Sequence, residues 1–386
     1  MKTLLSKDTL KRIALSIGFL SALPIAKAAE PITITMTADY WQTKENAEFF
    51  RELGFYHGLM RLNSGDAVLK GITFSDGTIE FDVNTIGRGA PGIAFRQQDE
   101  GNFELLYLRP DPACPAFRAC IQYAPQTHGV LLWDLFPQYF PQYQTRAPLR
   151  ENGWNHIKMV VSGRRMNVFV NDATSPTLEV GRLEGDAMKG GVRLQGPGTF
   201  ANMVITPGAV DGLSPEPVRD PLDGDLGLVR NWRLSAFSAL PNGKDPMYND
   251  MPGASQEWKT ISTERNGLVN ISREYGKPLP EPTRAVAWLK TTITSDSKQT
   301  KKVDIGWTRE VWVFVNGKQV YAGKNFFESE DARKYPDARC SLENGSFTLP
   351  LEAGDNEVAV AIANNFFGWG LKLRLPDPEG VHLAAK

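Results

Sequence analysis

The sequence predicts an all-β protein made of two β-sandwiches in tandem. Three observations carry that expectation. Segment after segment alternates apolar and polar residues with period two, the repeat of a pleated strand. Gly, Pro, Asn or Asp bounds these segments, and the chain holds Gly 35 and Pro 26. The pattern stops across 207–227, where Pro207, Pro215, Pro217 and Pro221 alternate with Asp211, Asp220, Asp223 and Asp225, the composition of a linker. With 386 residues, each half is long enough to bury a core of its own.

The N-terminus carries a different signal. Lys2, Lys7, Lys11 and Arg12 precede an uncharged apolar run over 13–23, and Ala26-Lys27-Ala28 follows. That order is a secretory signal peptide over 1–28, and its apolar run is too short to span a bilayer. The mature chain is expected to begin near Ala29, secreted or periplasmic. Loss of the leader moves the formal charge from −1 to −5, so no basic field points to nucleic acid.

Domains are expected at 29–206 and 228–386. In the first, strands are read at 56–62, 67–74, 78–84, 92–97, 103–109, 119–124, 129–134, 155–162, 165–170, 177–180, 190–195 and 200–206. The stretch TIEFDV at 78–83 shows the logic: Ile79, Phe81 and Val83 point one way, Thr78, Glu80 and Asp82 the other. Ser162-Gly163-Arg164-Arg165 reads as a hairpin turn. A short helix is expected over 44–52, where Ala47, Phe50 and Leu53 share helical spacing. In the second domain strands are read at 228–237, 256–262, 267–272, 284–294, 302–306, 310–315, 318–322, 346–351, 356–364 and 369–374. Val315-Asn316-Gly317-Lys318 is an Asn-Gly hairpin.

Cys114 and Cys120 lie six residues apart around Pro115; in an exported chain a small loop disulfide and two free thiols both remain open. Cys340 is then left over, expected as a buried apolar thiol. Three Cys and four His at dispersed positions offer no zinc spacing, so no metal is assigned. Asp223-Gly224-Asp225 lacks the rest of an EF-hand loop, so a structural calcium has no support there and a solvated acidic turn is expected. Neither a nucleophile elbow nor a phosphate or dinucleotide loop is present, and no cofactor is expected.

The stretch FSDGTIEFD at 74–82, then GIAFR at 92–96, FELLYLR at 103–109, Gln122-Tyr123, Trp133 and WNHIK at 154–158 resembles the concanavalin A-like lectin/glucanase superfamily. The Trp-Asn-x-Ile-Lys element, followed by VFVN at 168–171, resembles its laminin G-like jelly rolls. The second half resembles galactose-binding-like jelly rolls through VWVFVNGK at 311–318, LPL at 349–351, GDNE at 354–357 and FGWG at 367–370. Both resemblances imply tandem jelly-roll sandwiches and an oligo- or polysaccharide partner.

In such a jelly roll one sheet is concave and ligands lie across it. Arg96, Tyr107, Arg109, Gln122 and Trp133 are the expected ligand-binding residues of that face. Flat aromatic rings stack on sugar C–H faces, and planar polar groups hold hydroxyls in pairs. The alternative reading makes Arg96, Glu104 and Arg109 an ion network, with Tyr107 and Trp133 as core. Trp369 joins the candidates because Gly368 and Gly370 leave its ring faces accessible. A glycoside hydrolase would need two carboxylates. The resemblance implies a Glu-x-Asp-x-x-Glu strand for laminarinase-type enzymes; Glu80 and Asp82 match its first half, but position 85 is Thr85. A dyad of Glu80 or Asp82 with Glu104 is the remaining enzymatic option. The leading expectation is therefore a carbohydrate-binding protein, followed by a glycan-active enzyme, then an adhesion or assembly module binding protein. Oligomeric state is not legible.

Overall fold

The computed structural model describes residues 30–383 apart from 44–46, 88, 115, 117, 137–141, 278 and 281–282. The expected leader and its cleavage point near Ala29 lie outside the described residues. Strands dominate: the only helical pieces among the described residues are Ser272–Tyr275 and two 3-10 turns, Tyr248–Asp250 and Arg265–Gly267. No helix among them is long and apolar enough to cross a membrane.

The fold is two β-sandwiches in sequence. The first sheet of the N-terminal sandwich runs Leu178–Val180, Arg165–Val170, Trp154–Ser162, Gly77–Thr85, Gly198–Pro207, Leu59–Leu62 and Ala47–Phe50, with Ile32–Ile34 also paired to Gly198–Pro207. The second runs Val130–Leu131, Ile121–Thr127, Phe103–Leu108, Gly92–Gln97, Gly191–Gln195, Asp66–Leu69 and Trp41–Thr43, with Gln144–Thr145 paired to Ile121–Thr127. Period-two alternation builds the core between them: Ile79, Phe81, Val83, Ile157 and Met159 face Ile93, Phe95, Leu106, Leu108 and Tyr123. The expected helix over 44–52 is instead a strand over Ala47–Phe50, paired to Leu59–Leu62; residues 44–46 lie outside the described set. Four residues carry too little helical stabilisation of their own, and pairing at the sheet edge satisfies their backbone.

The C-terminal sandwich has an eight-stranded sheet in the order Trp258–Ser262, Asn231–Ser235, Arg284–Ser295, Gly354–Asn364, Arg309–Val315 and Lys318–Asn325, with Ser238–Leu240 and Val381–Leu383 also on Arg284–Ser295. Its partner sheet runs Val269–Asn270, Gly370–Arg374, Gln299–Trp307 and Gly345–Leu351. Trp232, Leu289, Val313 and Val360 meet Ile305, Trp307, Leu349 and Leu371 in the core. The Asn-Gly hairpin is present: Val315 pairs with Lys318, and Asn316 and Gly317 take φ of 48° and 81°, the left-handed values of a type I′ turn. The outer face of the large sheet carries a second apolar layer, in which Trp288, Trp312 and Phe314 pack under Leu240, Tyr248, Met251 and Trp258.

Cys114 and Cys120 are joined as a disulfide, and Cys340 is a free buried thiol. The two sandwiches meet through a close seam. Leu268 and Cys340 of the second half pack into the first core. Gly368 N–H donates to Asp134 Oδ1 at 2.9 Å, and Cys340 N–H to Asp134 O at 2.8 Å.

Two outcomes follow from this packing. Burial pushes the Cys340 thiol up to about 12, so a thiol-specific dye should find no reactive thiol in the native protein, one in denaturant, and three after reduction. A Cβ at Gly368 would stand 2.4 Å from Asp134 Oδ1 and 2.5 Å from Leu135 Cγ. Gly368→Ala should therefore cost about 1–3 kcal/mol by overpacking in denaturant titration, whereas Gly253→Ala, which meets only Ser255 Oγ at 4.0 Å, should be near neutral.

Candidate functional site

The outer face of the second sheet is where the sequence places its ligand residues, and the register brings several of them together. Tyr107 pairs with Gln122, and Tyr107 packs in a cluster with Phe103, Leu105, Ala124 and Trp133. That cluster is turned toward the C-terminal sandwich. Trp133 packs edge-on against Phe327 at 5.2 Å and Phe367 at 5.7 Å. The Arg339 guanidinium stands 5.1 Å from the same ring, and its Nη1 donates to Trp133 O at 2.6 Å. Gln122 and Arg339 both donate to Gln144 Oε1. Tyr107 is only 8% exposed; burial pushes its hydroxyl up to about 12 against the nearby charges of Arg339 and Arg109, and Arg109 is half-buried beside it.

These placements correct the expected glycan face. Trp133 contacts the second sandwich rather than an open concavity, because aromatic rings and guanidinium groups satisfy a protein loop as well as a sugar. Gln122 is buried and spends its amide on Gln144, which Arg339 of that sandwich also reaches. Trp369 is 0% exposed, inside the second core. Its flanking glycines leave room not for a ligand but for Asp134 and Leu135 of the first sandwich.

The three carboxylates do not converge either. Glu80 and Asp82 project from the outer face of the first sheet, opposite in parity to the core residues Ile79, Phe81 and Val83. There Asp82 Oδ1 takes the His156 Nδ1 hydrogen bond at 2.7 Å and Oδ2 that of Asn202 at 2.7 Å; Glu80 lies 3.5 Å from His156 Nε2. Although burial opposes it, these bonds hold the Asp82 carboxyl below its ordinary value, and the Asp82 bond raises the imidazole. Glu104 belongs to the other sheet and turns inward with Leu106 and Leu108. A dyad of Glu80 or Asp82 with Glu104 would have to reach through the first sheet. Thr85 is 1% exposed, so even a carboxylate at 85 would point into the core.

Arg96 and Glu104 are brought together, in a cleft of about 440 Å³ at one end of the N-terminal sandwich. Arg96 takes a left-handed backbone (φ 51°), next to a register shift between Gly191 and Arg193 on the neighbouring strand. Its guanidinium is fully buried. Nε and Nη2 donate to Ser75 O at 3.1 and 2.9 Å, and Nη2 also to Asp76 Oδ1 at 2.9 Å and Gly163 O at 2.7 Å. Nη1 is buried without a hydrogen-bond partner. Glu104 Oε2 accepts the Tyr123 hydroxyl at 2.6 Å, and Oε1 the Gly185 N–H at 3.2 Å. Burial pushes its carboxyl up to about 7, against the Tyr123 bond and the charge of Arg96. Gln98, Asn102, Phe103, Gln126, His128 and Asp186 complete the lining. Gln98 and Gln126 spend their amide nitrogens on backbone carbonyls.

The second sandwich holds both lips of this cleft. Arg273 pairs with Asp186 and Glu264 and donates to Glu184 O at 3.2 Å. Across the opening, a Cβ at Gly276 would meet His128 O at 2.7 Å, so the chain at 276 lies directly on that lip. Sequence reasoning missed Arg273, Tyr123 and the 184–187 wall, because they come from distant segments. One signal was available: Glu104 interrupts the inward row of Leu106 and Leu108, which marks a carboxylate placed in a core.

No known protein family and no curated protein matches the sequence. Solved structures do. The chain is similar to the carbohydrate binding module CBM66 from Bacillus subtilis (16% identity over 45% of this chain and 93% of that one, TM-score 0.29). It is similar to a Bacillus subtilis protein of unknown function with a galectin-like fold (15%, 47% and 96%, TM-score 0.33). It is also similar to domain 4 of an extracellular GH43 arabinanase from Geobacillus stearothermophilus, solved with arabinotriose (11%, 48% and 86%, TM-score 0.31). Each match spans under half of this chain, so a functional reading has to rest on the cleft itself. Among the described residues no group of three or more His, Cys, Asp or Glu is placed to hold a metal.

The cleft has a pH signature. Glu104 in the fold keeps its proton up to about 7 rather than 4.5, so the folded state binds more protons across that window. Stability is highest below the ordinary value and falls as pH rises through 7, by up to about 3 kcal/mol. Glu104→Gln should flatten that fall in denaturant titrations run from pH 4 to 8. Asp134, pushed up to about 6 by burial, should leave a smaller fall below pH 6 in the variant.

Proposed function

We propose that the protein is exported and binds a glycan in the Arg96–Glu104 cleft. Residues 29–206 form the ligand-bearing domain, 207–227 the linker, and 228–386 a domain that covers the other's outer face and braces its cleft. The observation that carries this is the cleft's chemistry: a space of about 440 Å³, within the usual range for small-ligand sites, lined by the amide groups of Gln98, Asn102 and Gln126 and the carboxyl groups of Glu104 and Asp186. Amides and carboxyls match the paired donors and acceptors of sugar hydroxyls. The leader-like N-terminus and the Cys114–Cys120 disulfide support an oxidising compartment.

One observation favours a second reading, a glycan-active enzyme. A carboxyl that titrates near 7 is poised to donate and recover a proton at neutral pH. Glu184, close enough to raise Glu104 further, is the nearby second carboxylate.

A glycan array with the mature protein, followed by calorimetry, tests the first reading. The wild type should retain a glycan at millimolar affinity or better, and Gln126→Ala and Asp186→Asn should each weaken it about tenfold; a wild type that retains nothing at millimolar concentration sinks the reading. Release of reducing ends from the retained glycan tests the second. Turnover lost in Glu104→Gln with binding kept would establish it, and no turnover in the wild type would remove it.

A further inference from the structure

A different feature stands on the C-terminal sandwich. The strands Asn231–Ser235 and Arg284–Ser295 are antiparallel neighbours, and their register sets Arg233 directly opposite Lys290. On its other side Arg233 is opposite Thr260. Trp232, Leu234 and Leu289 fill the core, so by parity Arg233 and Lys290 share the outer face. Two like charges directly opposed across a sheet destabilise it. The usual remedy is a carboxylate, and among the described residues neither cation has one within ion-pair distance. Trp258 holds them instead: Arg233 Nη2 donates to its carbonyl at 2.6 Å, and the Lys290 ammonium stands 4.0 Å over its ring. Both contacts keep the cations in place without neutralising them.

The pair lines a cavity of about 290 Å³, beside the layer of residues that covers the rest of this outer face. Thr260, Thr292 and Asn231 add hydroxyl and amide groups to its wall. Glu357, also on the wall, accepts the Tyr248 hydroxyl at 2.6 Å through Oε1 and lies opposite Thr292 in register, at the far side of the strip from Arg233.

We propose that this cavity binds an oxyanion carried by a saccharide, a uronate carboxylate or a sulfate ester, between Arg233 and Lys290. A guanidinium offers two parallel N–H donors to such a group and an ammonium adds a point charge. The bound anion supplies the charge the opposed pair lacks. The cavity is larger than an inorganic anion needs, and its Thr, Asn and Glu groups suit the hydroxyls of the sugar that carries the charge. The saccharide half of the inference rests on the glycan reading above; the oxyanion half does not.

The test uses the mature full-length protein with three probes: trigalacturonate, a neutral trisaccharide of the same size, and inorganic sulfate. The double variant Arg233→Gln/Lys290→Gln and the single Lys290→Gln accompany the wild type. Expected are binding of trigalacturonate weakened at least tenfold in the double variant and by added salt, weak or absent binding of the neutral sugar at this cavity, and a wild-type melting temperature that sulfate raises more than the double variant's. Lys290→Gln alone should weaken trigalacturonate less than the double variant does, since Arg233 keeps its paired N–H donors. Trigalacturonate that fails to bind, or binds the double variant equally well, overturns the proposal; sulfate protection without trigalacturonate binding overturns the saccharide assignment. The glycan reading fails separately, if the Arg96–Glu104 cleft retains no glycan while sulfate still distinguishes wild type from double variant.

Discussion

The strand Phe103–Leu108 is buried at every residue, and that constraint shapes the rest of the molecule. A strand apolar on both faces must be covered on both. The first sheet covers one side through Leu106 and Leu108. On the other side Trp133 packs against the cluster of Phe103, Leu105 and Tyr107 and is itself covered by Phe327 and Phe367. The second sandwich is thus a necessary layer over the first. Gly368 exists for this contact, because a side chain there would collide with Asp134 and Leu135.

The same docking makes the cleft. Its walls at His128 and 184–187 belong to the first sandwich, yet Arg273 and the chain at Gly276 come from the second. Glu104 keeps its proton near neutrality because its surroundings are dry. They are dry because Tyr123 and Gly185 close over it and the wall that carries Gly185 is pinned from outside. Stability of the seam and chemistry of the cleft are therefore coupled through a few shared residues. The Arg233–Lys290 pair lies elsewhere, on the large sheet of the second sandwich, and its logic is electrostatic rather than packing.

Much of this was legible in the sequence. Strands such as Gly77–Thr85, Arg165–Val170 and Arg309–Val315 follow from alternation, and the Asn316-Gly317 turn from the preference for positive φ. The short strands Ile32–Ile34 and Trp41–Thr43 were not, because three residues do not establish a period. Ala47–Phe50 read as a helix for the related reason that a few apolar residues fit either spacing. Glu104 and Tyr107 are odd-spaced on one strand, and they face apart as alternation requires: one turns to the core, the other to the seam.

By itself the sequence determined the fold class, the division into two sandwiches and the face on which most residues of the longer strands lie, since these follow from local periodicity and turn chemistry. Arg96, expected beside Tyr107 on the outer face, is turned inward by its left-handed backbone. Only the tertiary structure decided what each face meets. Tyr107, Gln122 and Trp133 present the same rings and amides to a sugar or to a neighbouring domain, and nothing local separates the two. Arg96 and Glu104 become a site, and Arg233 and Lys290 an uncompensated pair, only once register and docking bring distant segments within reach. Charge and burial act between residues close in space, and alternation along the chain does not encode that proximity.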